Sequence, residues 1–378
     1  MTLSATGANL PALRSHNAAL VLGLLRAEAV ASGGGVSRRE LAERTGLTPQ
    51  AVSKITARLR AEGLVEDAGR RASTGGKPPT ELRLAAGARY AVGVHLDGVR
   101  LTAVLTDLAG RTVADRTAPL DLGRPVGDGL AAITAEVLRT AALAPGPVLG
   151  AGVGVRGPLD HTSGVLHRVT GFPHWEGTAL RTELAHRLAL PVTVDKDTNT
   201  AALALLTHGT RPPAPGTPGG SPPGPPGTRP ADSFAYLHLG TGLGAALVLG
   251  GALYRGGRTG AGEFGHQAVQ LDGPLCGCGN RGCLEALCLA AVAAGDLRGA
   301  ARLLGVGAAN LAALLDIDRV VLGGGTVGAA PELFRAEVSG VLATRGRPLP
   351  VAGSGPLAAA EGAALLALAP LFPHAPLT

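Results

Sequence analysis

Apolar residues recur at helical spacing over residues 15–30, SHNAALVLGLLRAEAV, which predicts a first helix. Ser37 followed by Glu40 forms a capping box, so a second helix starts there and stops at Gly46. Thr48 and Pro49 open a third helix. The threonine is its N-cap, and the proline sits at the first helical position, where a missing N–H costs nothing. That helix, PQAVSKITARLRAEG, ends at Gly63 and has two faces. Ala51, Val52, Ile55 and Leu59 make an apolar stripe, while Gln50, Ser53, Lys54, Ala57 and Arg58 lie away from it. LVED then predicts a short strand, residues 69–79 a basic flexible loop, and ELRL a returning strand. Helix, glycine turn, helix and basic hairpin is the layout of a winged helix-turn-helix.

From Tyr90 the period changes from helical to alternating. YAVGVHLDGVRLTAVLTDLAGRTV reads as two strands around a turn with a third beginning at Arg111. A helix over 128–143, the buried strand VLGAGVGV, a helix over 176–189 and the strand-to-helix run PVTVDKDTNTAALALL follow. FAYLHLGTGLGAALVLGGALY is a second strand pair around a glycine turn. Residues 286–315 read as one Ala/Leu-rich helical stretch, RVVLG as a strand, and GPLAAAEGAALLALA as a closing helix. Strands alternating with helices make this an α/β body. The expected division is a winged helix over 1–86 and a body over 87–378, the latter interrupted at 211–230 by a disordered Pro/Gly-rich surface insertion.

Charge sharpens that division. Residues 1–90 hold 13 Lys and Arg against 7 Asp and Glu, whereas residues 91–378 hold 21 of each. The whole formal charge of +6 belongs to the first quarter, which points to a polyanion as its partner. On the third helix Gln50 and Lys54 can read base edges, and Ser53, Lys54 and Arg58 can hold phosphates. Thr48 and the wing residues Arg70, Arg71 and Lys77 complete the expected DNA-facing set. Aromatic residues make up 2% of the chain, too few for base-stacking platforms, which disfavours RNA and single-stranded DNA. At 46% hydrophobic residues the chain is too apolar to be disordered as a whole. The uncharged run Ser233–Tyr254 is long enough for a bilayer, but its five glycines read better as buried strands around a turn, so no membrane partner is expected. The protein is read as soluble and cytoplasmic.

All four cysteines lie between Cys276 and Cys288, a cluster rather than a disulfide framework. Cys276, Cys278 and Cys283, with glycines between them and His266 ten residues earlier, supply a closed Cys3His set suited to structural Zn2+. Free thiols or a redox pair are the alternatives. Cys288 reads as a buried apolar residue. Gly240-Thr241-Gly242-Leu243-Gly244 can cradle an anion with its backbone amides, although glycine hairpins are common. Asp195, Asp197, Glu263 and Glu285 lie near glycine turns and offer acceptors for a polyhydroxylated ligand.

These residues together resemble the ROK family of repressors, open reading frames and kinases, in the branch that carries an N-terminal winged helix. The resemblance rests on SRRELAERTGLTPQAVSKITARLRAEGLV, GVGVRGPLD, DKDTNTAALA, LGTGLGAALVLGG, GAGEFGHQAV, CGCGNRGCLEA and VVLGGG, in that order. It implies the two-lobed fold shared by sugar kinases and actin. It implies zinc at His266, Cys276, Cys278 and Cys283, and sugar hydroxyls held by Asp197, Glu263, His266 and Glu285. Asp197 matches the base of family kinases, and Gly240, Thr241, Gly242 and Gly244 match their second phosphate loop. The first phosphate turn departs from the family's D-x-G-G-T, with His95, Leu96, Asp97, Gly98 and Val99 in its place. The asparagine before the kinase base is Lys196 here, TGFPHW lacks an expected asparagine, and the helical segment after Glu285 is shorter than usual.

Losing a metal-binding aspartate and a phosphate-binding threonine removes the positioning that phosphoryl transfer needs, so the chain is read as no enzyme. The expected function is a sugar-responsive regulator, a repressor of carbohydrate-utilisation genes. It would bind operator duplex as a homodimer or homotetramer and respond to a small sugar or sugar phosphate. A sugar kinase with a fused DNA module, and a constitutive DNA-binding protein with a decayed sugar pocket, are the other readings.

Overall fold

The computed structural model describes residues 10–70, 80–167, 169, 171–209 and 233–372. The expected insertion at 211–230 and the wing residues Arg71 and Lys77 lie outside these, as does the side chain of Arg70.

The first unit contains α1 (Leu10–Ala31), β1 (Val36–Ser37), α2 (Arg38–Thr45), α3 (Pro49–Ala61), β2 (Val65–Arg70) and β3 (Thr80–Leu84). Both predicted caps form. The Ser37 hydroxyl accepts from the Glu40 amide at 3.2 Å while the Ser37 amide donates back to the Glu40 carboxylate, and Gly46 ends α2 at φ 68°. The Thr48 hydroxyl accepts from the Ala51 amide at 3.2 Å. Strand β3 pairs with both β1 and β2, giving the three-stranded sheet of a winged helix. The first helix is longer than its periodic core suggested.

The body has two lobes of one design. Lobe one holds β4 (Tyr90–Leu96), β5 (Arg100–Asp107), β6 (Thr112–Pro119), α4 (Val126–Ala141), β7 (Val148–Val155), the short pair β8 (Leu159–Asp160) and β9 (Val165–Leu166), α5 (Leu180–Leu188), β10 (Val192–Lys196) and α6 (Asp197–His208). Lobe two holds β11 (Phe234–Leu239), β12 (Leu243–Leu249), β13 (Ala252–Tyr254), α7 (Leu284–Ala293), α8 (Leu297–Leu315), β14 (Arg319–Gly323), α9 (Gly325–Ala329), α10 (Pro331–Thr344) and β15 (Val351–Gly353), followed by α11 (Ala358–Leu368). The sheet orders are β6-β5-β4-β7-β10 and β13-β12-β11-β14-β15. In each sheet the first strand is central, with an antiparallel hairpin on one side and two parallel strands on the other. The stretch 286–315 is two helices, not one, because Gly295 takes φ 77° and Asp296 caps a new helix.

Strand alternation fixes the layers. Val92, Val94 and Leu96 face the α4–α5 side with Ile133 and Trp175. Phe234 and Tyr236 face α6, while Ala235, Leu237 and Leu239 face α8 and α10. Helices α6 and α11 cross between the sheets at very short range. A Cβ on Gly362 would overlap the Thr200 carbonyl, and one on Gly152 would overlap that of Ala363. Only glycine permits that approach, which explains the small-residue run of α11.

The winged helix and lobe one share a core. Val21, Leu22 and Leu25 of α1 pack with Val104, Leu108, Leu365, Leu368 and Phe372 of the body. The Arg26 guanidinium lies 3.9 Å above the Phe372 ring, and burial lowers its pKa to about 10. Arg111 donates to the Ala29 carbonyl. Five residues, 85–89, separate β3 from β4, so the module is docked rather than tethered.

Candidate functional site

Three features of the structure bring candidate functional residues together. The first is the exposed face of α3. Gln50, Ser53, Lys54 and Arg58 are all solvent-exposed, with Thr48 beside them at the helix start. Beneath them Val52, Thr56 and Leu59 are buried, while Ala51 and Ile55 are half-buried, so the inward stripe is rotated slightly from the expected one. Thr56 tolerates this position because its hydroxyl donates to the Ser53 carbonyl at 3.2 Å. Arg58 pairs with Glu62 at 3.6 Å, an exposed contact worth little that leaves the guanidinium available to a phosphate.

The second is the metal cluster. One ligand atom from each of His266, Cys276, Cys278 and Cys283 falls within 4.8 Å of all the others. Cys276 Sγ lies 3.7 Å from His266 Nδ1, and Cys278 Sγ lies 3.6 Å from Cys283 Sγ. Tetrahedral zinc with Zn–S near 2.3 Å and Zn–N near 2.1 Å requires ligand atoms ~3.5–3.8 Å apart, so these residues fit that ion. Such an ion would tie the loop to α7, whose N-cap is Cys283 and whose first turn carries Glu285. Cys288 is fully buried, and its thiol donates to the Ala300 carbonyl at 3.7 Å, a packing role.

The third is the cleft between the lobes. Asp197 is the first residue of α6, where the helix dipole favours a carboxylate. Its Oδ2 lies 3.7 Å from His95 Nε2. Burial pushes its pKa up, but His95, His238 and Arg156 more than offset this and hold it well below the usual carboxylate range. His238 faces His95 edge-on at 6.1 Å, and its Nδ1 is 3.1 Å from the Tyr236 hydroxyl. Burial holds His238 below its ordinary pKa.

The other expected ligand carboxylates each carry a partner. Glu263 Oε1 accepts from Lys196 Nζ at 2.8 Å, and that ammonium also donates to the Ala261 carbonyl. Glu285 Oε2 accepts from the Leu243 amide at 2.8 Å, so the second glycine turn leans on the helix of the metal loop. Asp195 is corrected from a ligand acceptor to a structural one. It is buried beneath Arg255, which reaches it from lobe two with Nε at 2.8 Å and Nη2 at 2.6 Å, and Asn199 donates to its other oxygen. The pattern of apolar positions carries no signal for the Asp195–Arg255 and Lys196–Glu263 pairs, because each joins residues about sixty apart. His238 was missed for a simpler reason: it is a lone histidine on an otherwise apolar strand, on the Phe234 and Tyr236 face that looks into the cleft.

The two glycine turns differ sharply. At the first, the Val99 and Arg100 amides donate to Asp97 Oδ1 at 3.1 and 2.8 Å, so the turn's donors are already filled by its own carboxylate. Val99 is 63% exposed and offers no hydroxyl. At the second, the Gly240 amide donates to the Gly242 carbonyl, and the Thr241 hydroxyl reaches across to the Asp97 carbonyl at 3.4 Å.

Among the described residues no helix is long and apolar enough to cross a membrane. The ROK family pattern matches residues 228–294, and the MarR family pattern matches residues 27–72. The xylose repressor of Bacillus subtilis strain 168 is 28% identical over 252 residues, 66% of this chain and 61% of that protein. A solved ROK family transcriptional regulator, homologous to the Escherichia coli MLC protein, has the same fold. Its TM-score is 0.71 at 21% identity, covering 95% of this chain and 96% of that one. A ROK family glucokinase from Streptomyces griseus, solved with glucose and AMPPNP, gives a TM-score of 0.59 at 26% identity, covering 73% of this chain and 98% of that one. The alignments with the curated xylose repressors span 59–61% of those proteins' lengths. The paired five-stranded lobes, the Cys/His cluster and the docked winged helix agree with these matches: residues 228–294 carry the ROK family pattern and residues 27–72 that of the MarR family.

Proposed function

We propose that the protein is a sugar-responsive transcriptional repressor and not a kinase. The observation that carries this reading is the pairing of an exposed, basic recognition face on α3 with a ligand cleft whose first phosphate turn is filled by Asp97. The Bacillus subtilis relative is named a xylose repressor, which agrees with it. Gln50 and Lys54 read base edges from the major groove, while Thr48, Ser53, Arg58 and the wing residues Arg70, Arg71 and Lys77 hold phosphates. The chain acts as a homodimer or homotetramer, placing two recognition helices about 34 Å apart on successive grooves. Asp197, Glu263 and Glu285 accept hydrogen bonds from sugar hydroxyls, and His266, whose Nδ1 faces the metal cluster, donates one from Nε2. Gly240, Thr241, Gly242 and Gly244 remain as a phosphate loop without its partner. Zn2+ held by His266, Cys276, Cys278 and Cys283 would fix the wall that carries Glu285. The winged helix covers residues 1–86, the body covers 87–378, and the protein works in the cytoplasm.

The route from cleft to DNA runs through packed helices. Asp197 heads α6, α6 crosses α11, and α11 shares its core with α1. A sugar that closes the lobes on α6 therefore shifts the base of the DNA module, and differential affinity for the two closures sets the size of the response. The test is selection of bound duplexes from a random pool at low salt, then titration of the selected duplex complex with pentoses and hexoses. Duplex binding that one sugar weakens supports the proposal. Absence of duplex binding at low salt contradicts it, and sugar-dependent ADP release abolished by Asp197→Asn would establish a kinase instead.

A further inference from the structure

Among the described residues the cleft holds a cation, Arg156, that the function just proposed does not use. Arg156 follows the last residue of β7 and is half-buried. It makes no hydrogen bond or ion pair within the described residues. Its guanidinium stands between the two glycine turns: a Cβ on Gly98 would lie 4.0 Å from its Cζ, and a Cβ on Gly242 would lie 4.0 Å from its Nη1. Gly242 in turn abuts the Glu285 carboxylate, so Arg156 overlooks the same wall that the sugar would occupy.

The neighbouring carboxylates are committed elsewhere. Asp97 caps its own turn and faces Arg100 at 3.6 Å. Glu285 holds the Leu243 amide, Glu263 holds Lys196, and Asp197 faces His95. A guanidinium stays charged at any physiological pH and presents a planar fork that fits carboxylate or phosphate with two hydrogen bonds. Its charge helps keep Asp197 ionised, but none of its N–H donors is filled within the described residues, and an anionic ligand would fill them and offset part of the cost of desolvation.

We infer that the ligand of this cleft is an anionic sugar, a sugar phosphate or a sugar acid, whose anion is taken by Arg156 between the Gly98 and Gly242 turns. The inference rests on the proposed function and narrows it to a ligand class. Isothermal titration of the full chain with matched sets tests it: a neutral hexose or pentose, its phosphate ester, its uronic acid, and inorganic phosphate alone. The charged member of a set should bind about tenfold or more tightly than the neutral sugar, and whether that member is the ester or the acid identifies the source of the anion. Arg156→Gln should bring its affinity down to that of the neutral sugar, and Arg156→Lys should recover part of the difference because charge without the fork is a weaker match. A neutral sugar that binds as tightly as its charged counterparts overturns the inference while leaving the repressor reading standing. Retention of the preference by a folded Arg156→Gln, with its thermal midpoint unchanged, removes Arg156 from the site. Inorganic phosphate binding as well as the ester reduces the site to a simple anion site and overturns the sugar assignment. If no sugar of either kind binds, the inference and the proposed function fall together.

Discussion

The first strands of the two lobes end alike and turn differently. Strand β4 runs out through His95-Leu96-Asp97-Gly98-Val99, and β11 through His238-Leu239-Gly240-Thr241-Gly242. Both sit at the centre of sheets with the same order, and their histidines meet across the cleft beside Asp197. Yet the first turn fills its own amides with Asp97, while the second keeps three glycines around a threonine. The apolar cores on either side hold both hairpins in place whatever the turn contains. The fold therefore leaves the residues of each turn free to differ, and with them the chemistry the turn can support.

The largest expected effect falls on the second turn alone. Leu243 is held by Glu285, and Glu285 sits in the first turn of the helix capped by Cys283. Loading the Cys/His cluster with Zn2+ and then chelating it should raise hydrogen-exchange rates around residues 240–244 and 263–285 by an order of magnitude or more, while residues 95–100 stay protected. Equal loosening of both hairpins would show that the metal loop supports the body as a whole. A second large effect concerns the lock between lobes. Asp195→Ala leaves Arg255 buried and uncompensated and should destabilise the protein by about 3–5 kcal/mol in urea unfolding.

Reversing the difference between the turns is the sharper test. Asp97→Gly with Val99→Thr frees two amides and adds a hydroxyl. These changes should raise affinity for a nonhydrolysable ATP analogue about tenfold over wild type, read by fluorescence titration, since hydrogen bonds to charged groups contribute ~1.5–3 kcal/mol each. No gain would mean that Asp97 is a bystander. The histidines give a pH signature. Burial holds His161, His208 and His238 below their ordinary pKa, so the folded state keeps them neutral. The unfolded chain takes up these protons below about pH 6.5. Stability is therefore flat above that pH and falls as pH drops through it, by up to ~1.4 kcal/mol per pH unit for each histidine. His238→Gln should flatten the fall by one proton's worth in thermal scans between pH 7 and 5.

Much of this was legible in the sequence for a physical reason. Caps, glycine stops and period-2 cores are local, and Ser37, Thr48 and the β4–β5 and β11–β12 hairpins formed as their residues require. The Cys276-x-Cys278 spacing and His266 came together because glycines let one short loop close. What remained hidden was long-range. The pairing of Lys196 with Glu263, the burial of Asp195 under Arg255 and the placement of Arg156 between two turns depend on how the lobes meet, and no local period records that. The break of 286–315 into two helices was missed because Ala/Leu richness masked a single Gly295-Asp296 punctuation.

The smallest expected effect is on the recognition helix. Lys54→Ala should weaken duplex binding about equally across sequences and lower the salt slope by about one, whereas Gln50→Ala should relax base preference.

The most direct test of the account is fluorescence anisotropy of the full chain on a duplex selected from a random pool, titrated with neutral and anionic sugars at fixed salt. The account predicts tight, salt-sensitive duplex binding that one sugar weakens at least about tenfold, a coupling of ~1.4 kcal/mol. Duplex affinity that no sugar changes, or no duplex binding at low salt, would contradict it.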